Sequence, residues 1–148
     1  MRIRHTGIYV NDLELMKKFY CDHLNMEVAL HTVEEGIYID TLLGLEGNGA
    51  SLEIYKLTAH QGGMIELLKY NKSDFTLRNK EMVWETGKMH IALSVYDVEQ
   101  KYEELRQAGI SFLSSPCVSP DGNAKVCFCK DPEGNYLELV EEVQQIDE

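Results

Sequence analysis

Apolar and polar positions alternate with a period of two at two matching places in the chain. In "HIALSV", which begins at His90, Ile91, Leu93 and Val95 alternate with Ala92 and Ser94. This predicts a strand whose aliphatic side faces a core and whose other side carries His90. "HTGIYV", which begins at His5, opens the chain in the same way. When the two histidines are superimposed, Val10 falls on Val95, Asp12 on Asp97, Leu13 on Val98 and Glu14 on Glu99, so the sequence contains an internal repeat. In each copy the strand leads into a helix with a side-chain oxygen at its start. Leu13, Met16, Phe19 and Tyr20 make the apolar stripe of the first helix, and Val98, Tyr102 and Leu105 that of the second. Gly109 is placed to end the second helix.

Short alternating segments follow each helix. They are "MEVAL", "GIYIDTLLG", "ASLEIYKL" and "GMIELLKY" in the first half, and "ISFLSS", "NAKVCFCK" and "NYLELVEE" in the second. "SPDGN" and "DPEGNY" supply Pro, Asp, Gly and Asn in the order that tight turns favour. The predicted organisation is a β-α-β-β-β module over residues 1–71, a second over residues 88–142 and a polar tail over 143–148. Residues 72–87 read as the connection, with about one helical turn and an aromatic cover from Phe75 and Trp84. The fold class expected is α+β.

The last strand of each module carries a carboxylate in its middle, Glu66 in "MIELL" and Glu138 in "YLELV". Their neighbours Ile65, Leu67, Leu137 and Leu139 take the opposite face, so each glutamate shares the parity of its module's strand-entry histidine. A lone mid-strand glutamate is ordinarily a solvated residue. Two at equivalent places in a repeat, each matched with a histidine, point instead to coordination of a divalent cation by two imidazoles and two carboxylates. A mixed nitrogen and oxygen set leaves coordination positions open, as catalysis requires. Tyr9, Met64 and Tyr136 share the parity of these residues and would shape the cavity, whereas His23, His31 and His60 lack repeat partners and read as structural or loop residues.

The chain has 148 residues, 44% of them hydrophobic and 26% charged, which suits a globular protein with one good core or two small ones. A net charge of −11, with no basic stripe among aromatics, argues against nucleic acid as a partner. Local cations such as Arg2, Arg4, Lys69, Arg78 or Lys88 still allow an anionic small-molecule substrate. Apolar runs are too short for a membrane span, and the N-terminus has no signal-peptide pattern. Cys21, Cys117, Cys127 and Cys129 lack the spacing of a zinc-thiolate site, and "CFC" places two thiols on one strand face. Reduced thiols in a cytoplasmic protein are expected.

"MHIALSVYDVE" and "DPEGNYLELVE" carry a resemblance to the vicinal oxygen chelate superfamily, which includes glyoxalase I, methylmalonyl-CoA epimerase, extradiol dioxygenases and the bleomycin and fosfomycin resistance proteins. The resemblance spans residues 3–142. It implies paired β-α-β-β-β modules, within one chain or between two chains of a homodimer, forming a curled mixed sheet with a metal on its concave side. It also implies that His5, Glu66, His90 and Glu138 are the ligands, the same four that strand parity selects. The complete His, Glu, His, Glu set is most similar to glyoxalase I. That likeness implies a lyase or isomerase that moves a proton next to a carbonyl through a metal-stabilised enediolate, with Glu66 or Glu138 as base. Nickel, cobalt, zinc, manganese and iron all suit the ligands. An epimerase, an extradiol dioxygenase or a non-catalytic drug-binding protein are the alternatives on the same scaffold. Glutathione-using glyoxalases typically carry arginine where this chain has Tyr9 and asparagine where it has Tyr70; Asn71 is one position out of step. Glu66 follows His5 by 61 positions and Glu138 follows His90 by 48, and the extra stretch, 44–60, is expected to remodel one wall of the pocket.

Overall fold

The structure, a computed structural model, describes residues 3–42, 51–71 and 89–143. The chain divides into two compact units, Met1–Leu77 and Arg78–Glu148, each with its own four-stranded mixed sheet. The expected α+β class and repeated modules are what is found. The expected connection at 72–87, with Phe75 and Trp84, lies outside the described residues, as do residues 144–148 of the tail and 44–50 of the extra stretch.

In the first unit, β1 (Thr6–Tyr9) leads into α1 (Leu13–Lys18), followed by β2 (Glu27–Glu35), α2 (Ile37–Leu42), β3 (Ser51–Thr58) and β4 (Met64–Tyr70). The sheet order is β1-β4-β3-β2, with β1 parallel to β4 and the other pairs antiparallel. Asp12 caps α1 by accepting the Leu15 N–H at 2.9 Å. The helix continues into a π-helical turn, Phe19–His23, and the chain leaves it through Asn25 at φ 54°, a left-handed conformation that asparagine tolerates. Leu13, Met16, Phe19 and Tyr20 are all buried, as the stripe predicts. On the sheet, Ile65 and Leu67 of β4 with Tyr55 and Leu57 of β3 complete that side of the core. Tyr55 ties it to the helix by donating its hydroxyl to Glu14 Oε1 at 2.8 Å, and it stacks on His31, which pairs with Glu53 at 2.9 Å.

"GIYIDTLLG" is not a strand. β2 runs on to Glu35, Gly36 turns the chain at φ +83°, and Ile37–Leu42 forms α2. The reason is tertiary: Ile39 is fully buried against Leu52 and Ile54, with Leu68 and Tyr70 alongside, whereas Ile37, Tyr38 and Leu42 stay exposed. Ile39 and Asp40 are buried while Ile37, Tyr38 and Leu42 are exposed, a pattern without the period of two that a strand within the sheet would show.

In the second unit, β5 (His90–Ser94) leads into α3 (Val98–Gln107), followed by β6 (Cys117–Val118), β7 (Ala124–Lys130) and β8 (Tyr136–Glu142), in sheet order β5-β8-β7-β6. Asp97 caps α3 by accepting the Gln100 N–H at 2.9 Å, and Gly109 at φ +85° ends it. Val98 and Leu105 of α3 are buried, as are Leu137 and Leu139 of β8 and Cys127 and Cys129 of β7. "ISFLSS" contributes only an isolated bridge, Phe112 to Cys129. The repeat extends to single hydrogen bonds: Val10 N–H donates to the Leu68 carbonyl at 2.9 Å, and Val95 N–H to the Val140 carbonyl at 2.8 Å.

Candidate metal half-sites

Each unit brings one predicted histidine to its predicted glutamate. In the first, His5 stands just ahead of β1, and the parallel register sets Gly7 beside Glu66. His5 Nε2 and Glu66 Oε2 are 3.4 Å apart. In the second, His90 opens β5 and the register sets Ala92 beside Glu138, the same two-residue offset. His90 Nε2 and Glu138 Oε2 are 3.2 Å apart. At Gly7 the absent side chain makes room for Leu68, whose Cδ1 would lie 3.2 Å from a Cβ there.

The donor geometry suits a divalent ion. Bonds of about 2.0–2.2 Å meeting at 90–110° hold two donor atoms about 2.9–3.5 Å apart, and both observed separations fall in that range. The two units are thus equivalent nitrogen–oxygen pairs. Among the described residues no group of three or more His, Cys, Asp or Glu side chains comes together to hold an ion; each unit brings together one histidine and one glutamate, a candidate half-site.

The walls of the pairs follow from the ladders. Across the β3–β4 ladder Lys56 stands opposite Glu66, and its ammonium lies 3.0 Å from Glu66 Oε1. Sequence reading missed Lys56. Its signal was there in the repeat, since β3 and β7 are equivalent strands, but only the register shows which β3 residue faces Glu66. Across β7–β8 Phe128 stands opposite Glu138 and meets the His90 ring edge-on at 5.3 Å. Glu66 is 7% exposed, so its charge is partly withdrawn from water; Glu138 is more open. Leu68 shares the Glu66 face of β4 by parity and Ile54 that of β3, so α2, packed on them through Ile39, lies on the same face of the sheet as Glu66. Tyr136, on the Glu138 face, is buried beneath the Lys130 ammonium at 4.7 Å. Tyr9, two residues past Gly7 on the same face, is half exposed, and Met64 is half-buried.

The residues read as structural are so placed: His31 is held by Glu53 and Tyr55, His23 lies near the Phe19 ring, and His60 is exposed in the Ala59–Gly63 turn. All four cysteines are free thiols, and burial pushes Cys127 up to about 11 and Cys129 up to about 12.

Two repeated units, each built on a β-α-β-β-β frame and presenting a histidine at the entry of its first strand and a glutamate from its last, define a class of two-module α+β proteins. The sequence profile of the Glyoxalase/Bleomycin resistance protein/Dioxygenase superfamily matches residues 2–139, and the chain belongs to that superfamily. A lactoylglutathione lyase of Haemophilus influenzae is 32% identical over 143 residues, covering 95% of this chain and 93% of the relative. One of Escherichia coli O157:H7 is 31% identical over 144 residues, covering 96% and 93%. Among solved structures, a glyoxalase family protein from Bacillus cereus has the same fold, with a TM-score of 0.84 at 18% identity over 97% of this chain and 95% of its own. The relatives are enzymes, and they support a lyase of the vicinal oxygen chelate superfamily. No helix among the described residues is long and apolar enough to cross a membrane.

Proposed function

We propose that this protein is a metal-dependent lyase or isomerase of the glyoxalase I type, acting on a small carbonyl substrate. In this reading His5, Glu66, His90 and Glu138 together hold one divalent ion. The observation that carries it is the pair of equivalent His–Glu half-sites, alike in register offset and in donor spacing. One unit supplies two ligands, so a complete sphere needs both kinds of unit, from one chain or from two chains of a homodimer. The donors fit nickel, cobalt, zinc, manganese or iron.

Bound there, a divalent ion supplies Lewis-acid polarisation to a substrate oxygen. The protein's own part is positioning and proton transfer. His5, just ahead of β1, and His90, at the start of β5, present imidazole nitrogens from the edge strands of the two sheets. Glu66 and Glu138 hold the second and fourth positions, and one of them takes the proton from carbon next to the carbonyl and returns it to the neighbouring carbon. Apolar neighbours flank the ligands within each unit: α2 shares the sheet face of Glu66 in the first, and Phe128 and Tyr136 share that of Glu138 in the second. The thiol carried by the substrate is the open element of this reading, since Tyr9 and Tyr70 stand where glutathione-using glyoxalases carry other residues. Free thiols at all four cysteines support a cytoplasmic location.

The test is metal analysis of the purified protein, followed by turnover of the hemithioacetals that methylglyoxal forms with glutathione and with other thiols, with Glu138→Gln as control. Turnover that needs a divalent ion and is lost in Glu138→Gln is expected. No turnover of any hemithioacetal by metal-loaded protein would refute the reading, and a Glu138→Gln variant as active as the parent would remove Glu138 from its role.

A further inference from the structure

The two half-sites differ at one structurally equivalent wall. Directly opposed residues of antiparallel strands share a face with their Cβ atoms about 4.5–5.5 Å apart, so Lys56 and Phe128 each flank a glutamate at the same place in the repeat. One is a cation and the other an aromatic ring. The consequence shows in the carboxylates. Glu66 divides its oxygens, Oε2 towards His5 at 3.4 Å and Oε1 towards the Lys56 ammonium at 3.0 Å. Glu138 turns Oε2 towards His90 and faces a ring where Glu66 faces a charge.

An ionised carboxylate as enclosed as that of Glu66 is costly without a counter-charge. Its side chain is 10% exposed against 22% for Glu138, so the cation stands beside the glutamate that needs one more. We infer that Lys56 is a built-in counter-ion of the first half-site, which holds the Glu66 carboxylate in place in the metal-free protein and opposes the binding of a divalent ion there. The inference rests on the reading of His5 and Glu66 as ligands.

Two effects of Lys56 on an incoming cation compete. A hydrogen-bonding partner behind a ligand orients it, and losing such a partner commonly costs 10–100-fold in affinity. An ammonium on the same carboxylate also repels a dication and takes up part of the ligand's charge. Here orientation has other sources: Glu66 sits mid-strand, paired on both sides, with Oε2 already turned to His5. The charge effect is therefore the larger, and removing it strengthens binding.

The experiment compares Lys56→Met, which keeps most of the aliphatic stem, and Lys56→Gln with the chelator-stripped full-length parent, by calorimetric titration with Co²⁺ and Zn²⁺. We expect both variants to bind about tenfold more tightly and their metal-free forms to melt at lower temperature than the parent, because Glu66 has lost its counter-ion. A purely structural lysine would lower the melting temperature and leave the affinity unchanged. If the parent binds and the variants bind equally or more weakly, the inference falls and the metal reading stands. If neither parent nor variants bind either ion at millimolar concentration, both fall.

Discussion

Asp131 of "DPEGNY" is 4% exposed and carries the turn that delivers Glu138 into β8. Its carboxylate accepts hydrogen bonds from within the turn, Oδ1 from the Glu133 N–H at 3.1 Å and the Asn135 N–H at 2.9 Å, and Oδ2 from Asn135 Nδ2 at 2.8 Å. The backbone closes the same turn, with Asp131 N–H donating to the Asn135 carbonyl and Gly134 N–H to that of Asp131, both at 3.0 Å. Asp131→Ala removes every side-chain acceptor and leaves two backbone N–H groups to find water. A hydrogen bond to a charged group contributes about 1.5–3 kcal/mol, but neighbouring bonds on one carboxylate are not additive and water recovers part of the loss. The expected cost is about 2–4 kcal/mol. With a mid-range urea slope of about 2 kcal/mol per molar, that lowers the midpoint by roughly 1–2 M. Asp131→Asn keeps the shape and one acceptor oxygen and should lose about half as much. Far-UV circular dichroism in urea measures both, and metal affinity measured alongside should fall with Asp131→Ala because Glu138 is less firmly placed. An Asp131→Ala cost under about 1 kcal/mol would refute the argument that this carboxylate organises the turn.

Asp97→Ala removes the cap of α3 and should cost about 1 kcal/mol, measured in the same urea experiment, with Asp97→Asn close to the parent. Exposed Cys117 should react with iodoacetamide in the native protein at pH 8 while Cys127 and Cys129, buried and held as thiols, are spared; mass spectrometry of the labelled peptides checks this. Because folding raises these two thiols, the native state binds more protons than the unfolded chain above the ordinary thiol range. Their contribution is therefore complete below about pH 9, and it is lost as pH rises through the folded values of about 11 and about 12. Thermal melts from pH 8 to 11 should show this fall, and it should be shallower in Cys129→Ala relative to that variant's own value at pH 8. Glu66→Gln and Glu138→Gln should each weaken divalent-ion binding by at least tenfold in calorimetric titration, since a neutral amide replaces a charged ligand.

Periodicity and local chemistry were enough to read much of this protein from its sequence. A period of two assigns His5, Glu66, His90 and Glu138 to one side of their strands whatever the sheet order, because side-chain alternation belongs to the strand itself. The caps Asp12 and Asp97 and the stop at Gly109 are equally local, since their hydrogen bonds and backbone angles involve residues within a turn. The repeat made the strand parity and the two caps firm by showing each one twice. What stayed hidden depended on contacts distant in sequence. "GIYIDTLLG" has strand-like composition, and only the seat for Ile39 on Leu52 and Ile54 makes it a helix. "ISFLSS" alternates like a strand, yet its pairing stops at one bridge to Cys129. Lys56 is one of several charged residues in its stretch, and nothing within eight residues of it says which side chain it will meet. Register decides that, setting Lys56 against Glu66 and Phe128 against Glu138, because strand pairing joins residues whose separation along the chain no local pattern records.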